Sequence, residues 1–265
     1  ATYTAQGDLL FAVYGAHGEF QRIVLAPGDA EECFYLTAEA FNLAERFQIP
    51  VIVLPDKEII ESHETVEMFE VSTVDIVRGS LLREWEGEEY LRFKFTEDGV
   101  SPRVIPGTPN ALVLSNSNEH TERGFVTSVS EATRLMVDKR FRKEEHIRRA
   151  TEKLSPIRTY GSDVPDITMV GWGSTKGPAL EAIGLLSEQG IKARYVQVRV
   201  MEPFPDGLME YLSGKTVLFE NNRTAALGTL IKLNMGYKFD NVVLRYDGRS
   251  LTPDEMVSKV KGVLG

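Results

Sequence analysis

The chain has 265 residues, 42% hydrophobic and 26% charged, a globular composition with enough apolar side chain for one large or two ordinary domains. A formal net charge of −9 leaves no basic excess to neutralise phosphates, which excludes a general nucleic-acid role. A single cysteine, Cys33, excludes an internal disulfide and an iron–sulfur cluster held by this chain alone, and is expected as a small buried hydrophobe.

TAQGDLLFAVYGAHGEF, near the start, predicts one short helix. RIVLA reads as a strand and PGDAEECFYLTAEAFNLAERFQ as a helix, with Asp29 as N-cap and Glu32 three residues later in a capping-box arrangement. Ile49-Pro50 ends that helix, and VIVLPD reads as a second buried strand. Strand, helix of ~15 residues, strand is a parallel crossover unit. One such unit cannot cover its own sheet, so it needs further strands from elsewhere in the chain.

Residues 56–128 carry many turn signals. YLRFKF alternates like a strand, and VSPRVIPGTP, with its three prolines, must run extended or turn. Trp85, Tyr90, Phe93 and Phe95 mark this region as an ordered excursion. TSVSEATRLMVDKRFRKEEHIRRATEKL reads as one long helix capped by Ser128 and Glu131. Its basic run (Lys139, Arg140, Arg142, Lys143, Arg148, Arg149), interleaved with glutamate, reads as a solvated face, with a partner-docking face as the alternative.

From about residue 162 strands and helices alternate: DITMVGW, then GPALEAIGLLSEQG, KARYVQVRV, a short helix in PDGLMEYLSG, KTVLFEN, TAALGTLIKLNMG, NVVLRYD and TPDEMVSKVKGVL. The last helix has Thr252 as N-cap, Pro253 at its first position and Glu255 at its third. This order predicts an α/β fold of parallel sheets with helices on both faces. Three regions follow: 1–70, an excursion with a long linking helix over 71–160, and 161–265.

The loop GWGSTKG invites a nucleotide-binding reading and fails both templates. In a phosphate loop the lysine follows the second glycine and a hydroxyl residue follows the lysine; here Lys176 precedes Gly177. The glycines at 171, 173 and 177 are one residue too widely spaced for a dinucleotide fingerprint. A strand-to-helix turn is the favoured reading. Anion contacts from Ser174, Thr175, Lys176 and the helix N-terminus, with Asn222 after the third strand of this region, are the alternative. Arg103, set between prolines, reads either as a carboxylate or phosphate clamp or as half of an internal ion pair. His17 and His120 have no second ligand at metal spacing, so no metal site is expected.

TYTAQGDLLFAVYGAHGEFQRIVLAPGDAEECFYLTAEAFNLAERFQIPVIVLPDK, TEDGVSPRVIPGTP, SNEHTERG, VGWGSTKGPALEA, VRVMEPFP, FENNRTAALGTLI and YDGRSLTPDE occur in this order and span essentially the whole chain. The series strongly resembles the C-terminal portion of the α subunit of 2-oxoacid:ferredoxin (or other acceptor) oxidoreductases. The resemblance implies an enzyme subunit that takes part in oxidative decarboxylation of a 2-oxoacid with coenzyme A, with electrons passed to ferredoxin. It implies a partial pyrimidine-binding, thiamine-type domain over 1–70 and a transketolase C-terminal-like domain over 161–265. Thiamine diphosphate, Mg2+ and a [4Fe–4S] cluster are implied on the partner β subunit, with γ and δ subunits or domains as further partners and no cofactor held by this chain alone. The family's Tyr-Pro-Ile-Thr-Pro motif and catalytic glutamate would lie upstream of Thr2, so no catalytic residue is expected here and the chain is expected to be inactive alone. Thr2 matches a substrate-lining threonine, and Gln6 continues that segment as a second substrate-binding residue. Tyr3 and Ala5 stand where members often carry a basic residue and glutamate. A non-catalytic assembly module is the alternative function. No apolar run approaches the ~20 residues of a membrane helix and the first ten residues lack a signal-peptide pattern, so a cytoplasmic protein without membrane contact is expected.

Overall fold

The computed structural model describes residues 3–265. The N-terminal part opens with helix α1 (Leu9–Tyr14), strand β1 (Ile23–Leu25), helix α2 (Ala30–Phe47), strand β2 (Val51–Val53) and a single helical turn, α3 (Lys57–Glu61). β1 and β2 pair in parallel, Ile23 opposite Val51, as the crossover reading predicts. Asp29 caps α2 by accepting from the Glu32 amide at 2.8 Å. Glu32 does not complete the capping box: its carboxylate accepts instead from the Gly28 amide at 2.7 Å and turns toward cations described below.

Residues 81–104 contain only a two-residue parallel pair, β3 (Leu81–Leu82) with β4 (Arg103–Val104). The strand expected at YLRFKF does not form. Its polar groups are used locally: the Tyr90 hydroxyl donates to the Pro102 carbonyl at 3.1 Å, and the Phe95 amide donates to the Glu122 carboxylate at 2.7 Å. The long helix is interrupted into α4 (Ser130–Phe141) and α5 (Glu144–Glu152). Arg142 and Lys143 keep right-handed helical dihedrals, so the helix is interrupted and not ended. It starts one residue later than expected, after Val129, without the Ser128–Glu131 box. The solvated-face reading of its basic run holds for Arg142 and Arg149, which are exposed, and is corrected for Lys139 and Lys143, which are only 5% and 7% exposed.

The C-terminal part is a five-stranded sheet of β5 (Ile157–Gly161), β6 (Ile167–Gly171), β7 (Ala193–Val198), β9 (Lys215–Glu220) and β10 (Asn241–Leu244), in the order β10-β9-β6-β7-β5. Four strands are parallel; β5, which the sequence did not reveal, closes the edge antiparallel to β7. Helices α6 (Lys176–Ser187) and α8 (Pro253–Leu264) cover one face, where Ile167, Met169, Tyr195, Val217 and Phe219 alternate inward. Helix α7 (Ala226–Met235) and α1 cover the other, against Val170, Val196, Val198 and Leu218. The predicted capping box at Thr252 and Glu255 is present on α8. PDGLMEY forms a 3₁₀ segment, Asp206–Tyr211, in place of an α-helix.

The two parts share one strand of sequence. KARYVQVRV does not stop at Val198: after Arg199 it continues as β8 (Val200–Glu202), which leaves the large sheet and pairs antiparallel with β1. This supplies the extra strand that the N-terminal crossover lacked. No helix among the described residues is long and apolar enough to cross a membrane.

Candidate functional site: a polar seam at the carboxyl edge of the sheet

Open parallel sheets bind ligands at the carboxyl ends of their strands, where helix N-termini present free amides. In this chain that edge is filled from within. After β6, Gly173 adopts a left-handed φ of +58° and Gly173–Thr175 make one 3₁₀ turn into α6. A side chain at position 173 would lie 2.7 Å from the Gln6 Nε2 and 2.8 Å from an Asp56 oxygen, so glycine is required twice over, by φ and by space. The Ser174 amide donates to Asp56 Oδ2 at 2.9 Å. The anion at this helix entrance is therefore the carboxylate at the end of β2. Thr175 Oγ1 donates to the Trp172 carbonyl at 2.8 Å and lies 2.9 Å from the hydroxyl of Tyr195, whose pKa burial pushes up.

Gln6, 2% exposed, uses every part of its amide. Nε2 donates to Asp56 at 3.0 Å and to the Trp172 carbonyl at 2.8 Å, and Oε1 accepts from the Asn221 amide at 2.8 Å. Its backbone amide donates to the Asn221 carbonyl at 2.8 Å, and the Asn222 amide group donates to its carbonyl at 3.2 Å. The Gln6 side chain, expected to bind substrate, is hydrogen-bonded at both ends within this chain and positions the segment around it. Thr2 lies outside the described residues.

The next helix entrance repeats the arrangement. Glu220, at the end of β9 and fully buried, accepts from the Leu227 and Gly228 amides of α7 at 2.9 and 3.0 Å, from the Asn222 amide group at 2.7 Å and from the Trp172 indole at 3.2 Å. Burial raises its pKa, and the four donors pull the other way. Asn222, named as an anion contact, holds this carboxylate, and its Oδ1 accepts from the Thr224 and Ala226 amides at 3.1 and 3.3 Å. Asn221 donates to Ser174 Oγ at 3.1 Å and joins the two entrances.

A second buried cluster pins α2 to the large sheet. Glu32, 4% exposed, receives Gly28 N and Gln197 Nε2, each at 2.7 Å, and Lys176 Nζ at 2.9 Å. Arg158 and Arg199 approach it at 3.3 Å. Lys176 also pairs with Asp29. Burial opposes the Lys176 charge, but the Asp29 and Glu32 carboxylates outweigh it and raise its pKa. The lysine of GWGSTKG is thus neutralised by this chain's own acids. Arg103 resolves the same way, as an internal ion pair with Glu45 of α2.

Cys33 is half-buried, and burial with nearby acids pushes its thiol up to about 11, away from the thiolate reactivity of a catalytic cysteine. His17 and His63 are exposed, and His120 stacks on Phe93. Among the described residues no group of three or more His, Cys, Asp or Glu side chains is placed to hold a metal ion. Asp56, Glu32 and Glu220 were missed as seam residues. Glu220 ends β9 and Asp56 caps α3 shortly after β2, the signals that mark them, and nothing in the sequence says which helix entrance each would reach.

Fold and site together define a class: an α/β chain whose large parallel sheet has its carboxyl edge sealed by its own N-terminal segment. Residues 1–163 match the family model for pyruvate flavodoxin/ferredoxin oxidoreductase, thiamine diphosphate-binding. The chain belongs to this family of thiamine diphosphate-dependent oxidoreductases. It is 35% identical over 268 residues to the 2-oxoacid:ferredoxin oxidoreductase subunit alpha of Saccharolobus solfataricus, covering 99% of this chain and 42% of that one. It is 37% identical over 268 residues to 2-oxoacid:ferredoxin oxidoreductase 2, subunit alpha, of Aeropyrum pernix, covering 99% and 41%. The chain thus spans about two fifths of the length of these curated relatives. Its fold matches the 2-oxoglutarate:ferredoxin oxidoreductase of Magnetococcus marinus, solved with 2-oxoglutarate, coenzyme A and succinyl-CoA, at a TM-score of 0.84 and 30% identity, over 100% of this chain and 46% of that chain.

Proposed function

We propose that this chain forms the C-terminal portion of the α subunit of a 2-oxoacid:ferredoxin oxidoreductase, which oxidatively decarboxylates a 2-oxoacid, forms the acyl-coenzyme A and passes the electrons to ferredoxin. The observation that carries the reading is the match of the entire chain, at a TM-score of 0.84, to an oxidoreductase solved with a 2-oxoacid and coenzyme A. On this reading residues 1–70 complete a pyrimidine-binding domain, 71–160 link, and 161–265 form a transketolase C-terminal-like domain.

The metal-diphosphate end of thiamine diphosphate is expected outside this chain, as the family resemblance implies. That end is assigned to the β subunit, where the bound cofactor supplies the carbanion chemistry of decarboxylation. This chain's contribution is positional. The Gln6–Asp56–Ser174–Asn221 seam fixes the segment around Gln6 against the large sheet. Tyr3 and Thr4 line an open cavity of about 270 Å³ with Lys57 and Arg249, so the segment stays accessible on the side away from the seam.

The test is co-expression of the chain, joined behind the upstream α-subunit segment of a relative, with a cluster-bearing β subunit of the family, followed by an assay of 2-oxoacid- and coenzyme A-dependent reduction of ferredoxin or a viologen dye. The complex should turn over, and the 265-residue chain alone should not. Turnover by the isolated chain, or a stable complex that ignores every 2-oxoacid offered, refutes the proposal.

A further inference from the structure

The basic run on α4 and α5 contains two lysines that the polar seam does not use. Lys139 and Lys143 stand one helical turn apart and are 95% and 93% buried (5% and 7% exposed). Lys143 donates to the Phe47 carbonyl at 3.0 Å. Lys139 makes no hydrogen bond and no ion pair among the described residues, and neither lysine has a carboxylate partner within 4.0 Å. Arg92 is a third cation without an acidic partner among the described residues; its guanidinium lies 5.0 Å from the centre of the Phe93 ring. Arg140, by contrast, is neutralised by both oxygens of Glu119.

These three cations line one cavity of about 130 Å³. The EDGVSPR turn supplies a wall: Gly99, at φ +77°, packs so closely on the Lys139 carbonyl that a side chain there would clash. Nearby acids are already committed. Glu122 accepts from the Phe95 amide at 2.7 Å and Asp98 from the Val100 amide at 3.0 Å. Burial, and then the neighbouring cations, push both lysines down to about 8.

Burying a lysine side chain without an ion-pair partner is unfavourable, and like charges one turn apart add to that cost. Two buried lysines and a half-buried arginine around one cavity, none with an ion-pair partner among the described residues, describe half of an ionic site. Its lining cations are donors only, so the missing half is acceptor-only and negatively charged. The cavity, at about 130 Å³, has room for a small oxyanion. We propose that Lys139, Lys143 and Arg92 form a binding site for a phosphate group, taken either as inorganic phosphate or as the phosphoryl end of a phosphate monoester. The proposal stands on this geometry and not on the oxidoreductase reading.

Isothermal titration of the full 265-residue chain in chloride buffer with inorganic phosphate, and separately with AMP, tests it. We expect saturable binding of one phosphate per chain, weakened at least tenfold by Lys139→Met and by Lys143→Met and unchanged by Lys232→Met on exposed α7. Binding of AMP as tight as that of phosphate assigns the site to a phosphate monoester, and binding of phosphate alone assigns it to the free ion; either supports the site. No saturable binding of either probe, or binding unaltered by Lys139→Met, overturns it. If Lys139→Met does not fold by circular dichroism, Arg92→Gln carries the same tenfold expectation.

Discussion

Replacing Glu32 with glutamine tests whether the buried cluster under α2 holds the two parts of the chain together. Five groups converge on this carboxylate (Gly28 N, Gln197, Lys176, Arg158 and Arg199), and all five are donors. Glutamine keeps the size but removes the charge and replaces one acceptor oxygen with a donor facing other donors. Arg199, 4% exposed, loses its carboxylate partner among the described residues and keeps the carbonyls of Leu154 and Ser155. Removing one member of a buried charge cluster costs about 3–5 kcal/mol. For a chain of this size that lowers Tm by roughly 6–20 °C, at about 2–4 °C per kcal/mol. Thermal unfolding followed by circular dichroism reads the shift. In a double-mutant cycle with Arg199→Met, the two changes should be non-additive by at least about 1 kcal/mol, because they remove the same interaction. A loss under about 1 kcal/mol, or strict additivity, would show that the cluster is solvated in solution and that the apolar core alone joins the two parts.

Other outcomes follow from the same coordinates. Gln6→Leu strands the Asn221 amide and removes a donor from Asp56, and should destabilise by about 2–4 kcal/mol in guanidinium unfolding; a change within error would remove the seam from the account. Gly173→Ala meets Gln6 and Asp56 as well as a left-handed φ, and should cost more than the ~1 kcal/mol of a positive-φ alanine alone. Thr252→Ala removes a capping box from α8 and should cost about 1 kcal/mol in the same assay. Lys139 and Lys143, faced by Arg92, Arg140, Glu122 and Asp98, have folded pKa values of about 8, below the ~10.4 of the unfolded chain. Between these values the unfolded state binds more protons, so the stability contributed by these groups rises with pH from about 8 to ~10.4, and their full penalty is present below 8. The Lys139→Met/Lys143→Met variant should flatten that rise, measured as guanidinium midpoint against pH; an unchanged slope contradicts the burial of the two ammonium groups.

Much of the fold was legible because it depends on local pattern. The α2 and α8 caps, the glycine ending α7 and the parallel order of β6, β7 and β9 all follow from residues close together in sequence. The misreadings have one cause. YLRFKF alternates like a strand but has no neighbouring strand, and an alternating pattern cannot show whether a partner exists. KARYVQVRV reads as a single strand because each half is apolar; only the geometry shows that it serves two sheets, with Arg199 at the crossing. The basic run looked solvated because a helix face is buried or exposed according to what packs on it, here the distant EDGVSPR turn.

The sequence by itself determined the α/β class, most of the element boundaries and, through seven ordered motifs, the family. It also showed that GWGSTKG is no phosphate loop, since glycine spacing is a local property. Only the tertiary structure decided what the loop does instead. The amide at the start of α6 takes its anion from Asp56, 118 positions away, and Lys176 takes its own from Glu32, 144 positions away. Partners so distant along the chain leave no mark in local pattern, because charge and hydrogen-bond capacity are written in the residue while the choice of partner is made by the packing.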